Sequence, residues 1–239
     1  MQSALYNNKS DISDNVLLLG KKIHFIGIGG IGMSGIASIL VEQGYIVSGS
    51  DLKDSPVTRK LSEKGVKVFI GHSRLHIEDK DAVVYSSAVK EDNPELLAAR
   101  KNGLPVLRRA QMLAKLMRDK ICVAVSGAHG KTTTTALASH LLREAGLCPT
   151  AAIGGIARDL GDNCCFGRES RFFVAEADES DGTFLYYNPE YPIITNIDRE
   201  HLDYYQSWED IIAAYRKFIS HSKDKGCLFC CGDDLTLRE

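Results

Sequence analysis

The chain has 239 residues, with 29 basic and 31 acidic side chains, a net charge of −2, 44% hydrophobic and 25% charged residues. Domains run to roughly 150 residues, so this is a soluble globular protein of one to two domains. The near-neutral balance argues against a surface that coats nucleic acid. No apolar run approaches the ~20 residues that a membrane helix needs, so neither nucleic acid nor membrane is expected as a partner.

Residues 1–20 read as a polar N-terminal tail without the basic start and apolar core of a signal peptide. Seven cysteines, an odd number, then fit reduced thiols in a cytoplasmic protein. From Lys21 onward strands and helices alternate. Apolar runs predict strands at 23–28, 45–50, 66–70 and 82–86, and helical spacing predicts helices at 33–43, 57–64 and 94–102. A second series predicts strands at 121–125, 172–175, 193–196 and 226–231, with helices at 131–145 and 208–221. Such alternation indicates βαβ units on parallel sheets. A boundary near 105–119 divides the chain into an α/β unit over 21–108 and another over 109–239.

Gly27, Gly29, Gly30 and Gly32 satisfy G-x-G-x-x-G between a predicted strand and helix. Bare backbone there lets a diphosphate approach the helix N-terminus. Asp51 ends the next strand about 20 residues on, where an acid can bond a ribose hydroxyl. The pattern reports only diphosphate plus ribose. It admits a nicotinamide dinucleotide, and hence an NAD-dependent oxidoreductase, as well as a UDP-sugar.

Ser126-Gly-Ala-His-Gly-Lys-Thr132 lies between another strand and helix. Its GKT core is the phosphate-binding part of a P-loop, although Val125 stands where the generic pattern has its first glycine. Backbone amides would cradle phosphates, Lys131 would reach the β/γ-phosphates and Thr132 would ligate Mg²⁺. A lysine at a helix start is disfavoured by the dipole unless an anion is present.

The acidic run Glu176, Asp178, Glu179 and Asp181 follows a strand, where ligands of open α/β sheets sit. Four carboxylates in six residues repel one another unless cations or donors compensate. Glu176, nearest the strand end, is the candidate for a Mg²⁺ contact, and His201, after the next strand, for a metal or phosphate contact. Cys227, Cys230 and Cys231 read as buried strand thiols, because their spacing to other ligands is poor for zinc. Trp208, Tyr215 and Phe218 lie at helical spacing and read as core.

The stretches HFIGIGGIGMSGIA (24–37), SGSD (48–51), SSAV (86–89), SGAHGKTTTT (126–135), EADESDGTF (176–184) and TNIDREHLDYY (195–205), in that order, resemble the Mur ligase family. The likeness covers about residues 22–205. Its opening points to the branch acting on muramate and alanine, with the murein-peptide ligases as the nearest other branch.

The resemblance implies a Rossmann-like UDP-binding domain followed by a P-loop-type ATPase domain. It implies an ATP-dependent ligase of peptidoglycan precursor synthesis that joins L-alanine to UDP-N-acetylmuramate through an acyl phosphate, with ATP and Mg²⁺ as cofactors. Gly29, Gly30, Ile31 and Gly32 would hold the UDP diphosphate, with Asp51, His72 and Ser87 on the uridine side. Gly127, His129, Gly130, Lys131, Thr132 and Thr133 would hold ATP phosphates, and Asn196 would contact the nucleotide. Thr132, Glu176 and His201 would ligate Mg²⁺, with Lys131, Glu176 and His201 forming the catalytic set. Asp178, Glu179, Ser180 and Asp181 would face the muramoyl end.

Ala128 departs from the threonine common in this loop. Arg216 and Lys217 fall near the place where later family members carry a carboxylated lysine, which this branch is not expected to use. The family also has a third, C-terminal domain. The central domain is therefore expected to be incomplete and the chain to turn over little alone, leaving a non-catalytic UDP-sugar or nucleotide-binding module as the alternative.

Overall fold

A computed structural model describes residues 21–223 and 226–238. The tail expected over 1–20 lies outside the described residues. The first sheet takes β1 (Lys22–Ile26), β2 (Ile46–Asp51), β3 (Lys67–Ile70), β4 (Ala82–Tyr85) and β5 (Val106–Arg108) in the order β3-β2-β1-β4-β5, all parallel. β1 and β4 are almost wholly buried because helices cover both faces of a parallel sheet. Their crossovers are α1 (Ile31–Glu42), α2 (Pro56–Glu63) and α3 (Pro94–Lys101). Ser55 caps α2 by accepting the Thr58 N–H, with Pro56 set in its first turn. Asn93 and Pro94 start α3 in the same way.

The second sheet runs β11-β10-β6-β9-β7-β8, from β6 (Ile121–Ser126), β7 (Thr150–Ala157), β8 (Asp162–Cys165), β9 (Phe172–Glu176), β10 (Tyr191–Ile194) and β11 (Phe229–Cys230). Every pairing is parallel except β7 with β8. Its helices are α5 (Lys131–Glu144), α6 (Trp208–Ser220) and the short α7 (Leu235–Arg238). Between the sheets lies α4 (Arg109–Met117). The stretch 105–119, read as a boundary, thus holds β5 and α4. α4 buries Ala110, Met112, Leu113, Leu116 and Met117 in a core cluster that also takes Ile23 and Phe25 of the first sheet and Phe173 of the second.

Other departures have local causes. β10 ends at Ile194, because the Thr195 hydroxyl turns to the carbonyls of Ser126 (3.2 Å) and His129 (2.6 Å). Only Phe229 and Cys230 of the run 226–231 pair, at the sheet edge, and Cys227, Cys230 and Cys231 are exposed thiols, not buried ones. β7 and β8 were not anticipated: β7 is alanine-rich and contains Gly154 and Gly155, which mask its strand character. Tyr215 and Phe218 are core as expected, and Trp208 packs against it. Among the described residues no helix is long and apolar enough to cross a membrane.

The β7–β8 hairpin reaches back to the first unit. The Asn163 amide donates to the carbonyl of Ile31 and to Ser34 Oγ (3.0 Å), both in the first turn of α1. Lys60 and Lys64 each lie 3.0 Å from the Asp162 carboxylate.

Candidate functional site

Strand order reverses between β1 and β4, so the crevice beyond their carboxyl ends is the natural ligand position of the first sheet. The glycine loop opens there. Ser50 O accepts the N–H groups of Gly27 (2.9 Å) and Ile28 (3.0 Å), and Asp51 Oδ2 accepts that of Gly29 (2.8 Å). Gly27 has a φ of +79°, which favours glycine. A Cβ on Gly29 would sit 2.9 Å from Asp51 Oδ2, so the loop has no room for a side chain. Arg109 lies against Gly32, with Nη1 3.1 Å from where a Cβ would be. A guanidinium therefore stands beside the positive end of α1, an arrangement suited to an anion. Ser87 is exposed just past β4.

Behind the loop lies a buried polar cluster. Glu95 is fully buried on α3 and accepts from Ser50 Oγ at 2.5 Å. Its carboxylate lies 2.9 Å from His72 Nδ1, 2.6 Å from His76 Nδ1 and 3.6 Å from His24 Nε2. Burial acts to raise the Glu95 pKa, but the nearby His24 imidazole, the hydrogen bond from Ser50 and the contact with His76 outweigh it, and it falls to about 2. Burial pushes His24 below the usual imidazole value against the opposing pull of Glu95.

In the second sheet the order reverses at β6, and the loop 126–130 opens above it. Gly127 has a φ of +134°, and a side chain there would collide with Thr195 and the backbone of Asn196. The Asn196 amide clamps the loop: Oδ1 accepts from His129 N (2.9 Å) and Nδ2 donates to His129 O (3.0 Å). Gly130 caps α5 at a φ of +82° with open space around it. Lys131 Nζ donates to Gly127 O (2.8 Å) and to Glu179 Oε1 (2.8 Å). Thr132 Oγ1 donates to Glu176 Oε2 (2.8 Å), which also accepts from Gly154 N (3.0 Å). His201 has a φ of +58°, and its Nε2 is 3.8 Å from Glu179 Oε1.

Burial acts to raise the Asp178 pKa, but hydrogen bonds from Ser180 and the charges of Lys131 and Arg109 hold it below the usual carboxylate range. Asp178 thus feels Lys131 of the second loop and Arg109 of α4. Asp181 accepts from Thr183 N (3.0 Å) and Thr183 Oγ1 (2.6 Å), and it also acts on Arg108.

Residues 22–121 match the Mur ligase family catalytic domain, and residues 125–239 match the Mur ligase middle domain. A UDP-N-acetylmuramate–L-alanine ligase of Anaeromyxobacter sp. (strain Fw109-5) is 51% identical over 91% of this chain and 47% of its own length. That of Aquifex aeolicus is 50% identical over 92% and 48%. The solved UDP-N-acetylmuramate-alanine ligase of Thermotoga maritima superposes with a TM-score of 0.82 at 35% identity, covering 90% of this chain and 50% of that one. The UDP-N-acetylmuramate:L-alanyl-gamma-D-glutamyl-meso-diaminopimelate ligase of Neisseria meningitides gives 0.84 at 30% identity, covering 92% and 74%. This chain belongs to the Mur ligase family. It spans about half the length of the curated relatives it matches.

As a Mur ligase the chain is of the α/β class, with parallel sheets that carry the family's N-terminal and middle domains. Family membership leaves the nicotinamide reading of the first loop without support. Of the residues singled out in sequence, Gly29, Gly30, Ile31 and Gly32 form the first loop with Asp51 bonded to it, His72 joins the Glu95 cluster behind it, and Ser87 is exposed past β4. Gly127, His129, Gly130, Lys131, Thr132, Thr133, Glu176, Asn196 and His201 gather around the second loop. Glu179 pairs with Lys131, and the Asn196 amide is engaged by the His129 backbone. Thr132 and Glu176 offer two hard oxygens, the donor type Mg²⁺ takes alongside substrate phosphates. No three His, Cys, Asp or Glu among the described residues form a metal-holding group by themselves. Arg109 and Glu95 were missed. The pair Arg108-Arg109 directly after a short apolar run was the available signal for the first.

Proposed function

We propose that the chain carries the uridine-nucleotide and ATP sites of a ligase that joins L-alanine to UDP-N-acetylmuramate. The observation that carries this reading is the pair of phosphate-type loops in one chain: one at the α1 N-terminus with its Gly29 amide held by Asp51, the other at the α5 N-terminus with Lys131 and Thr132 each held by an acid of the 176–181 run. A carboxylate is a poor acylating group. Transfer of the ATP γ-phosphoryl to the lactyl carboxylate gives an acyl phosphate and ADP. The alanine amine then attacks the acyl carbon, a tetrahedral intermediate forms and phosphate leaves with the C–O electron pair.

Each part has residues suited to it. The amides at Gly29, Gly30, Ile31 and Gly32 meet the UDP diphosphate at the α1 N-terminus, and Arg109 adds a fixed positive charge. Asp51, His72 and Ser87 line the uridine side. The amides from Gly127 to Thr133 and the Lys131 ammonium meet the ATP phosphates. Thr195 and Asn196 hold that loop in shape. Asp178, Ser180 and Asp181 would face the muramoyl end. Thr132, Glu176 and His201 would hold Mg²⁺, which when bound neutralises phosphate charge. The seven free cysteines suit a reducing, cytoplasmic setting.

Calorimetric titration with UDP-N-acetylmuramate, Mg·ATP and NADH tests the reading. The first two should bind and NADH should not. Lys131→Ala should abolish Mg·ATP binding and leave UDP-sugar binding nearly intact. Tight NADH binding without UDP-sugar binding would overturn it.

A further inference from the structure

We propose that Glu179 is the resident counter-ion of Lys131, occupying the place on the ammonium that a phosphate oxygen takes when nucleotide binds. The pair rests on geometry, and its release by ATP rests on the function proposed above. Lys131 opens α5, where the helix dipole disfavours a cation. Its side chain is 14% exposed and that of Glu179 is 4% exposed, so neither charge is well solvated. Each would be costly to leave alone there. The ammonium therefore takes the Glu179 carboxylate at 2.8 Å and the carbonyl of Gly127 at 2.8 Å.

Glu179 is held in position. The Tyr205 hydroxyl donates to its backbone carbonyl at 2.5 Å, and Ser126 Oγ lies 3.4 Å from Oε2. The neighbouring carboxylate is engaged separately, since Glu176 takes Thr132 and Gly154. The two P-loop side chains thus each have their own acid: Glu176 on the hydroxyl, Glu179 on the ammonium. A nucleotide must take Lys131 from Glu179 and tolerate the freed carboxylate beside its phosphates. Inorganic phosphate, with few other contacts, competes poorly for the ammonium. A nucleotide with many loop contacts competes well. Glu179 is in this way a positioning residue that lowers nucleotide affinity and screens out small anions.

The test uses two readouts. The first is the rate at which an amine-acylating reagent labels Lys131 in nucleotide-free protein, followed by peptide mass spectrometry. Glu179→Gln should raise it several-fold. The second is ADP affinity by calorimetry. Glu179→Gln should bind ADP about tenfold more tightly, as expected when a competing internal state is removed, and Lys131→Met should erase that gain. Unchanged labelling overturns the pair whatever the nucleotide does. Weaker ADP binding by Glu179→Gln with Lys131 present overturns the counter-ion role, because Glu179 would then be touching the ligand side directly. A labelling contrast in a protein that binds neither ADP nor Mg·ATP keeps the pair and rejects the ATP reading. If Glu179→Gln does not fold, Glu179→Asp keeps the charge but shortens the reach, and it should still raise labelling.

Discussion

Asp51 and Asn196 act alike at the residue scale. Each follows or ends a strand neighbouring a loop strand, and each fixes loop amides: Asp51 by accepting from Gly29, Asn196 by a two-bond clamp on His129. Phosphate-binding loops depend on amides already aimed at the ligand, so loss of the clamp should harm binding more than folding. Asn196→Ala should cost about 1–2 kcal/mol in a urea melt, the range for one or two net hydrogen bonds. It should weaken ADP binding by a larger factor in calorimetry. Equal losses in both would make Asn196 merely structural. In the other crevice Arg109→Met should weaken UDP binding and flatten its salt dependence, and Arg109→Lys should restore only part, because a point charge lacks the planar fork. Unchanged salt dependence in Arg109→Met would remove Arg109 from that site. The positions of Lys131, Thr132 and Glu176 were legible in sequence because they are set locally: a loop, a helix start, a strand end. Arg109 and Glu95 were not, because each acquires its role from a segment distant along the chain.

Among the elements, the run of β1, β2, the turn after β3 and α3 builds the Glu95 cluster, and its pKa directions give a definite sign. Glu95 is an acid with a folded value of about 2 against an ordinary glutamate value of 4.5, so it contributes stability above 4.5 that is lost as pH falls toward 2. His24 is a base with a lowered value, so its contribution is complete above 6.5 and also lost on acidification. Glu95, His76 and Lys80 bear on it, and His72 and His76 also contact Glu95. The urea midpoint should fall as pH drops below 6.5, and more steeply below 4.5. His24→Gln should be less stable at pH 8 but lose less between pH 6.5 and 5. An identical pH slope in that variant would exclude His24 as the source. The strands and helices around this cluster were legible from periodicity and caps. α4 and the β7–β8 hairpin were not. α4 follows a three-residue strand with no loop between, and β7 owes its place to pairing with β9, not to β-branched side chains.

The whole molecule has two sheets, yet its main core does not divide along them. One cluster runs from Ile23 and Phe25 through α1 and α4 to Phe173, Tyr215 and Phe218. Asn163 and Asp162 tie the β7–β8 hairpin to the first turn of α1 and to α2. Elements that share a core unfold together, so the two units should show one transition. The chain has one tryptophan, Trp208 on α6, far in sequence from the glycine loop. Its fluorescence reports the second unit, and far-UV circular dichroism reports both. The two urea curves should coincide. UDP at 100 times its Kd should stabilise the fold by about 2.7 kcal/mol, and that shift should be visible at Trp208 although the ligand binds in the other unit. A Trp208 midpoint that ignores UDP, while the dichroism curve splits into two steps, would mean that the shared core does not couple the units.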